Sequence, residues 1–149
     1  MIDTHIKFAC AADDLSPAPI DPSWIQEGNP VARIKFMSGS SDGMANTYIW
    51  DCTAGRFNWK YAFDETACLL QGAIIVKDEK GVAHSLKAGD TMFFPAGSNA
   101  DWIVADYVRK VAILRNPLSP RLVWIARIYS KLKRMISRDN SNGGNPASF

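Results

Sequence analysis

The sequence predicts an all-β fold, an antiparallel sandwich or barrel, followed by one C-terminal helix. Between residues 31 and 115, eight or nine short apolar and β-branched runs recur. Turn residues separate them, and no helical pattern lies between them. The segment VARIKFM at 31–37 alternates charged and apolar side chains, which is typical of a half-buried strand. After residue 116 the apolar spacing changes to that of an amphipathic helix.

Length and composition indicate one folded domain of moderate charge. The 149 residues are 47% hydrophobic and 11% aromatic, which is enough to form a core and argues against disorder. A net charge of +2 is too small to indicate a nucleic-acid partner, and none is expected. Neither a secretory signal pattern nor an apolar run of roughly 20 residues is visible, so the expected location is the cytoplasm.

The cysteines do not indicate a disulfide framework or a zinc site. Cys10, Cys52 and Cys68 are an odd number and include no C-x-x-C pair. Small disulfide scaffolds and structural zinc sites need paired or clustered cysteines.

The sequence predicts four segments in the chain. Residues 1–30 are predicted to be an extended arm, because the four prolines between residues 9 and 30 exclude a regular helix. Trp24 and Ile25 are expected to anchor this arm. Residues 31–117 are predicted to form the barrel, with TAG at 53–55 as a break between two strands and DEKG at 78–81 as a hairpin turn.

The third segment, residues 118–138, is predicted to be a basic amphipathic helix, and residues 139–149 a disordered polar tail. Ser119 is the expected N-cap, with Pro120 at the first helical position. One helical stripe carries apolar residues at positions 122, 125, 129, 132 and 136. Residues 120–149 contain six Lys or Arg and one Asp, whereas residues 1–119 contain eleven basic and fourteen acidic residues.

Three roles for this helix remain open. Its apolar stripe can pack on its own barrel or on a second copy of the chain. Its charge can instead hold it on an anionic membrane surface or on another acidic partner. The basic residues that would make a membrane or protein contact are Arg121, Arg127, Lys131, Lys133 and Arg134.

Several motifs in the barrel region resemble those of the cupin superfamily, the RmlC-like jelly rolls. They are SWIQEGNPVAR, IWDCTAGRFNWKYAFDETACLLQG, AGDTMFFPAG and DWIVADYVRKV, and they span about residues 24–117. The closest pattern is that of the ureidoglycine aminohydrolase-like cupins, a family of largely unassigned function. The resemblance implies a single jelly-roll barrel, and it implies that the chain forms a homodimer.

The residues that shape the turns of this family are present, but its metal ligands are not. Glu65 and Gly72 keep the spacing of the first motif, and the second motif is kept at positions 89, 95 and 97. The histidine positions, however, carry Trp59, Tyr61 and Ala100. No metal cofactor is therefore expected. The resemblance leaves one alternative open, a divalent metal held by the two carboxylates of Glu65 and Asp101.

Six residues form the predicted ligand pocket. Trp59 and Tyr61 lie two residues apart, on one strand face, and Glu65 continues that face inward. An inward carboxylate needs a partner, and either Lys110 or Arg109 could provide it. Trp102 is expected in the core, at a dimer interface or in the pocket wall. The candidate pocket is therefore Trp59, Tyr61, Glu65, Asp101, Trp102 and Lys110.

The first functional hypothesis is a metal-free cupin that binds a small polar metabolite in the mouth of the barrel. The second is an enzyme, either a metal-dependent aminohydrolase-like protein using Glu65 and Asp101 or a metal-free isomerase using Tyr61 or Glu65 as acid and base. The third is an interaction module that works through the basic helix.

Overall fold

The computed structural model describes residues 5–8, 10 and 14–139. The chain divides into two compact units, Met1–Asn116 and Pro117–Phe149. The first contains antiparallel strands and the second a helix, so the predicted all-β class with a C-terminal helix is confirmed. The elements are β1 Ser16–Pro17, a 3₁₀ turn Pro22–Trp24, β2 Ile25–Gly28, β3 Ala32–Gly39, β4 Ala45–Lys60, β5 Asp64–Lys77, β6 Ala83–Lys87, β7 Thr91–Phe94, β8 Asn99–Arg115 and α1 Pro120–Asp139.

Three long strands, β4, β5 and β8, organise the barrel. The sheet order is β1-β3-β4-β8-β5-β6, with β2 added on β4 and β7 on β5. Register shifts interrupt β4 near Gly55 and β5 on both sides of Gln71. Because bulges bend a strand, each long strand runs through both layers of the barrel. One layer ends at β7 and the other at β6.

The segment TAG at 53–55 is not the strand break that the sequence predicted. It lies inside β4, which continues from Ala45 to Lys60 with a bulge between Thr53 and Gly55. A Cβ at Gly55 would lie 2.8 Å from the ring carbons of Pro30. The glycine therefore allows the chain that precedes β3 to pass close to the bulge, and no turn is required.

The core between the two layers is dominated by aromatic rings. Trp102 stacks on Phe57 with ring centroids 6.1 Å apart, and Trp50 meets both rings edge-on. Tyr61 and Phe94 extend this cluster toward one end of the barrel. Such ring pairs stabilise a core by about 0.5–1.5 kcal/mol each beyond the burial of their surface.

The N-terminal segment adds two short strands to the sheet. β1 pairs with β3, and β2 pairs with β4. Asp21 caps the 3₁₀ turn by accepting a hydrogen bond from the backbone N–H of Ser23. Trp24 then packs edge-on against Trp59, with centroids 5.3 Å apart. Residues 1–4, 9 and 11–13 of the predicted arm lie outside the described residues.

The second unit contains α1, which begins at Pro120 and ends at Asp139. The hydroxyl of Ser119 accepts a hydrogen bond from the backbone N–H of Leu122 at 3.4 Å, as an N-cap residue does. Among the described residues, no helix is long and apolar enough to cross a membrane. Residues 140–149 of the predicted disordered tail lie outside the described residues.

Candidate functional site

The centre of the candidate site is an ion pair inside the barrel. Glu65 lies near the start of β5, opposite Leu114 of β8 and Phe94 of β7. Its side chain is buried, as is that of Lys110, and the two residues are 5% and 4% exposed. The Lys110 Nζ donates a hydrogen bond to the Glu65 carboxylate. Lys110, rather than Arg109, is therefore the residue that pairs with Glu65.

Aromatic faces hold the Lys110 ammonium on its other sides. The Nζ atom lies 5.0 Å from the ring centroid of Trp50 and 4.8 Å from that of Trp102. Both distances are in the range of cation–π attraction, which is strengthened when the cation is desolvated. The ammonium is thus fixed by one carboxylate and two rings.

Tyr61 closes the aromatic wall beside Glu65. It follows β4 directly, and its backbone is bonded to Ser98 and Gly97 of the loop before β8. The hydroxyl accepts a hydrogen bond from Trp102 Nε1 at 2.9 Å, and the ring stacks on Phe94 at 4.3 Å. Burial, followed by the nearby Glu65 carboxylate, raises the pKa of Tyr61 well above its usual value. The phenol therefore stays protonated, and it is unsuited to act as a base.

A cavity of about 210 Å³ opens beside the ion pair. Three of the predicted pocket residues, Trp59, Tyr61 and Glu65, contribute to its wall. Trp102 and Lys110 lie behind this wall, where they contact Tyr61 and Glu65. The complete lining is Trp59, Lys60, Tyr61, Ala62, Phe63, Glu65 and Leu114.

Asp101, the sixth predicted pocket residue, is not part of this site. It neighbours Trp102 on β8, and successive side chains of a strand point to opposite faces. Its carboxylate instead accepts hydrogen bonds from Asn58 at 2.8 Å and Gln26 at 3.1 Å, and it lies 3.9 Å from Arg56. Asp101 therefore belongs to the outer surface of the barrel.

The residues at the former ligand positions do not fit a transition metal. An indole ring at Trp59 and a methyl group at Ala100 offer no lone pair to a cation. The Tyr61 hydroxyl accepts a hydrogen bond from Trp102, and Glu65 already faces the Lys110 ammonium, whose charge repels a metal ion. In the described part of the chain, no three His, Cys, Asp or Glu side chains are grouped to hold a metal. The structure does not bring Asp101 to Glu65, so the two-carboxylate alternative is not formed.

A second cavity, of about 460 Å³, was not foreseen from the sequence. It lies between β6 and β7, with the core residues Phe94 and Ala100 in its wall. At its rim His84 Nε2 lies 3.3 Å from Asp78 Oδ2, and Glu79 and Lys80 are close by. The sequence predicts the DEKG turn that carries these groups, but not the opening between two strand edges.

A second buried carboxylate, Asp51, lies outside both cavities. It is 1% exposed, and Arg33 binds it through two hydrogen bonds of 3.0 and 2.6 Å. The Tyr107 hydroxyl donates a third, at 2.8 Å. These contacts join β3, β4 and β8 on the face opposite to Trp50, so we assign Asp51 a structural role.

Cys52 gives a direct check on the packing of the barrel. Its side chain is fully buried, and burial raises the pKa of the thiol to about 12. Because the thiolate is the reactive form, Cys52 should not react with a thiol reagent at pH 8 until the protein unfolds. The exposed Cys10 should react at once. A time course of thiol labelling in the presence and absence of urea measures this, and rapid native labelling of Cys52 would contradict the packing.

Comparison with known proteins finds one family model that matches part of this barrel. Residues 39–112 match the family model described as the EutQ-like cupin domain. The chain is similar to a protein of unknown function of the DUF861 family from Pseudomonas syringae pv. tomato, with 25% identity and a TM-score of 0.64 over 69% of this chain and 45% of that one.

Two further solved structures share the fold. The EutQ protein of Clostridium difficile is 21% identical, with a TM-score of 0.52 over 58% of this chain and 63% of its own. A putative ethanolamine utilization protein Q from Salmonella typhimurium LT2 is 20% identical, with a TM-score of 0.52 over 69% of this chain and 98% of its own. The chain spans less than two thirds of the length of the Pseudomonas syringae and Clostridium difficile proteins.

No curated protein matches the chain. The structural similarities nevertheless confirm the predicted cupin-type jelly roll. The narrower resemblance, to the ureidoglycine aminohydrolase-like branch, stays a prediction. The barrel therefore has the cupin-type jelly-roll fold, and residues 39–112 match the EutQ-like cupin domain.

Proposed function

We propose that this cupin binds a small polar molecule without a metal ion, in the cavity beside Glu65. The observation that carries the proposal is the ion pair of Glu65 and Lys110, buried in the barrel next to this cavity. A buried ion pair is seldom retained for stability, because desolvating two charges costs about as much as their attraction returns. At the edge of a cavity, the pair instead presents an oriented carboxylate to a ligand.

The lining of the cavity suggests the chemistry of the ligand. Ionised Glu65 only accepts hydrogen bonds, so it selects a ligand that donates N–H or O–H groups. The rings of Trp59 and Tyr61 favour a flat or apolar body. A volume of about 210 Å³ is below the range of roughly 300–1,000 Å³ of pockets for drug-sized ligands, so the ligand is small. The ureidoglycine aminohydrolase-like resemblance suggests a carboxylate or a nitrogen-rich compound, and of these two the nitrogen-rich compound can donate N–H groups to Glu65.

Glu65 would also act as the acid or base if the protein were a metal-free isomerase. Its carboxylate lies at the cavity wall, whereas the protonated Tyr61 hydroxyl is engaged by Trp102. Binding comes first in either case, so we treat catalysis as a further property of the same site. Homodimerisation and a cytoplasmic location, both expected from the sequence, stay predictions.

The test is a ligand screen by thermal denaturation with a matched pair of variants. We expect a nitrogen-rich small molecule to raise the melting temperature of the wild-type protein. Glu65→Gln should reduce that affinity by about tenfold or more, because a charged acceptor is worth roughly 1.5–3 kcal/mol. His84→Gln, at the rim of the second cavity, should leave the affinity unchanged.

The outcomes separate the two cavities. Loss of binding in His84→Gln alone would place the ligand between β6 and β7 and overturn the proposed site. Elemental analysis of the purified protein is the second check. A stoichiometric transition metal, lost in Glu65→Gln, would refute metal-independent binding. Circular dichroism of each variant shows whether the barrel is intact.

A further inference from the structure

Helix α1 has one continuous apolar face. Leu122, Ile125 and Tyr129 follow each other at spacings of three and four residues, with Trp124 and Ile128 beside them. Each of these five side chains is at least 39% exposed. Residues at such spacings lie on one side of a helix, so they form a single surface. We call it the α1 apolar face.

Most basic residues of the helix lie outside the α1 apolar face, whereas Arg121 lies at its N-terminal end. Arg127 and Lys131 lie four residues apart, and Arg121 lies in the first turn. Lys133, Arg134 and Arg138 follow before the helix ends at Asp139, its one acidic residue. The chain up to residue 119 has more acidic than basic residues, so the positive charge is concentrated in this unit.

We propose that α1 lies flat on an anionic membrane surface. Its apolar face would enter the boundary between headgroups and acyl chains, and its basic side chains would contact lipid phosphates. Interfacial helices combine a strongly basic polar face with an apolar face that includes aromatic residues, and α1 has both. Trp124 and Tyr129 are the residue types that settle at membrane interfaces. Each Lys or Arg near an anionic surface adds to the attraction.

Charge argues against two other occupants of this face. A second copy of α1 would bring like charges together, with six basic residues on each helix. Nucleic acid would neutralise the basic residues but leave the apolar face uncovered, since its backbone contacts are electrostatic. An anionic bilayer would cover the apolar face with acyl chains and contact the basic residues with lipid phosphates. This inference goes beyond the proposed ligand site and does not depend on it.

The experiment is flotation of the full-length protein with lipid vesicles. We expect binding to phosphatidylcholine vesicles that contain about one third phosphatidylserine, little binding to pure phosphatidylcholine, and weaker binding as salt is raised. The double variant Arg127→Glu/Lys131→Glu should bind at least about tenfold more weakly, because it replaces two attractions with two repulsions. Ile125→Gln should also bind more weakly, because it removes apolar surface that would enter the bilayer.

The matched control reverses two charges on the barrel instead. Lys77→Glu/Lys87→Glu changes net charge by the same amount and should leave vesicle binding within about twofold. Equal weakening in both double variants would mean that net charge alone attracts the protein, which would overturn the proposal. So would equal binding to the two kinds of vesicle, or binding to a DNA duplex without binding to vesicles. Helix content of each variant, measured by circular dichroism, must match that of the wild type.

Light scattering tests whether a second copy of the chain covers the α1 apolar face. If Ile125→Gln converts a dimer to a monomer and the wild type does not bind anionic vesicles, a second copy covers the α1 apolar face and the proposal fails.

Discussion

Replacing one member of the buried ion pair is expected to lower the free energy of unfolding by about 3–5 kcal/mol. In Lys110→Met the Glu65 carboxylate loses its partner, and in Glu65→Leu the Lys110 ammonium loses its own. Each variant leaves one uncompensated charge that is about 95% shielded from solvent. Urea denaturation followed by tryptophan fluorescence measures the change.

The double variant Glu65→Leu/Lys110→Met is the decisive control. Both charges are gone and the side-chain volumes are similar, so its stability should return to within about 1 kcal/mol of the wild type or exceed it. Its ligand affinity should nevertheless be lost, because the carboxylate is absent. If the double variant were as unstable as the single ones, the pair would serve folding, and the argument for a binding role would fall.

The second large effect is expected at Gly72. Its φ of +82° lies in the left-handed region, and an added Cβ would lie 1.9 Å from the carbonyl oxygen of Tyr107. Gly72→Ala should therefore destabilise the barrel by at least about 3 kcal/mol, through backbone strain and the clash with β8 together. Thermal and urea denaturation measure the loss.

A substitution at Gly97 distinguishes backbone strain from the steric clash. Its φ is +87°, but nothing lies within 4 Å of an added Cβ. Gly97→Ala should cost only about 1–2 kcal/mol, the strain alone. Equal losses at both positions would show that β5 and β8 approach each other less closely at Gly72 than the structure indicates.

The sequence predicted the inward position of Glu65 but could not choose its partner. Period two along the strand places Glu65 on the core face, and the cost of a lone buried charge requires a cation. Lys110 and Arg109 are neighbours and so lie on opposite faces of β8. Which of them faces inward depends on the strand's phase after residues 105 and 106, which the β4 pairing leaves out. Local pattern does not fix such an irregularity.

For Asp101, in contrast, the sequence alone indicates which face of β8 the side chain points to. It precedes Trp102, and a buried tryptophan on a strand requires its neighbour to face outward. The resemblance to a metal-binding branch placed Asp101 in the pocket against this alternation. The opening between β6 and β7 is different, because it arises where two strand edges fail to pair and no short motif encodes it.

The bulged strands have a consequence for folding. Because β4, β5 and β8 each run through both layers, neither layer can form or melt without the backbone of the other. Their pairings are also far apart in sequence, with Ala45 opposite Arg115 and Lys60 opposite Asn99. A chain with such non-local contacts reaches its native topology slowly, since large loops must close before β4 and β5 can pair with β8. We therefore expect the barrel to unfold as one cooperative unit.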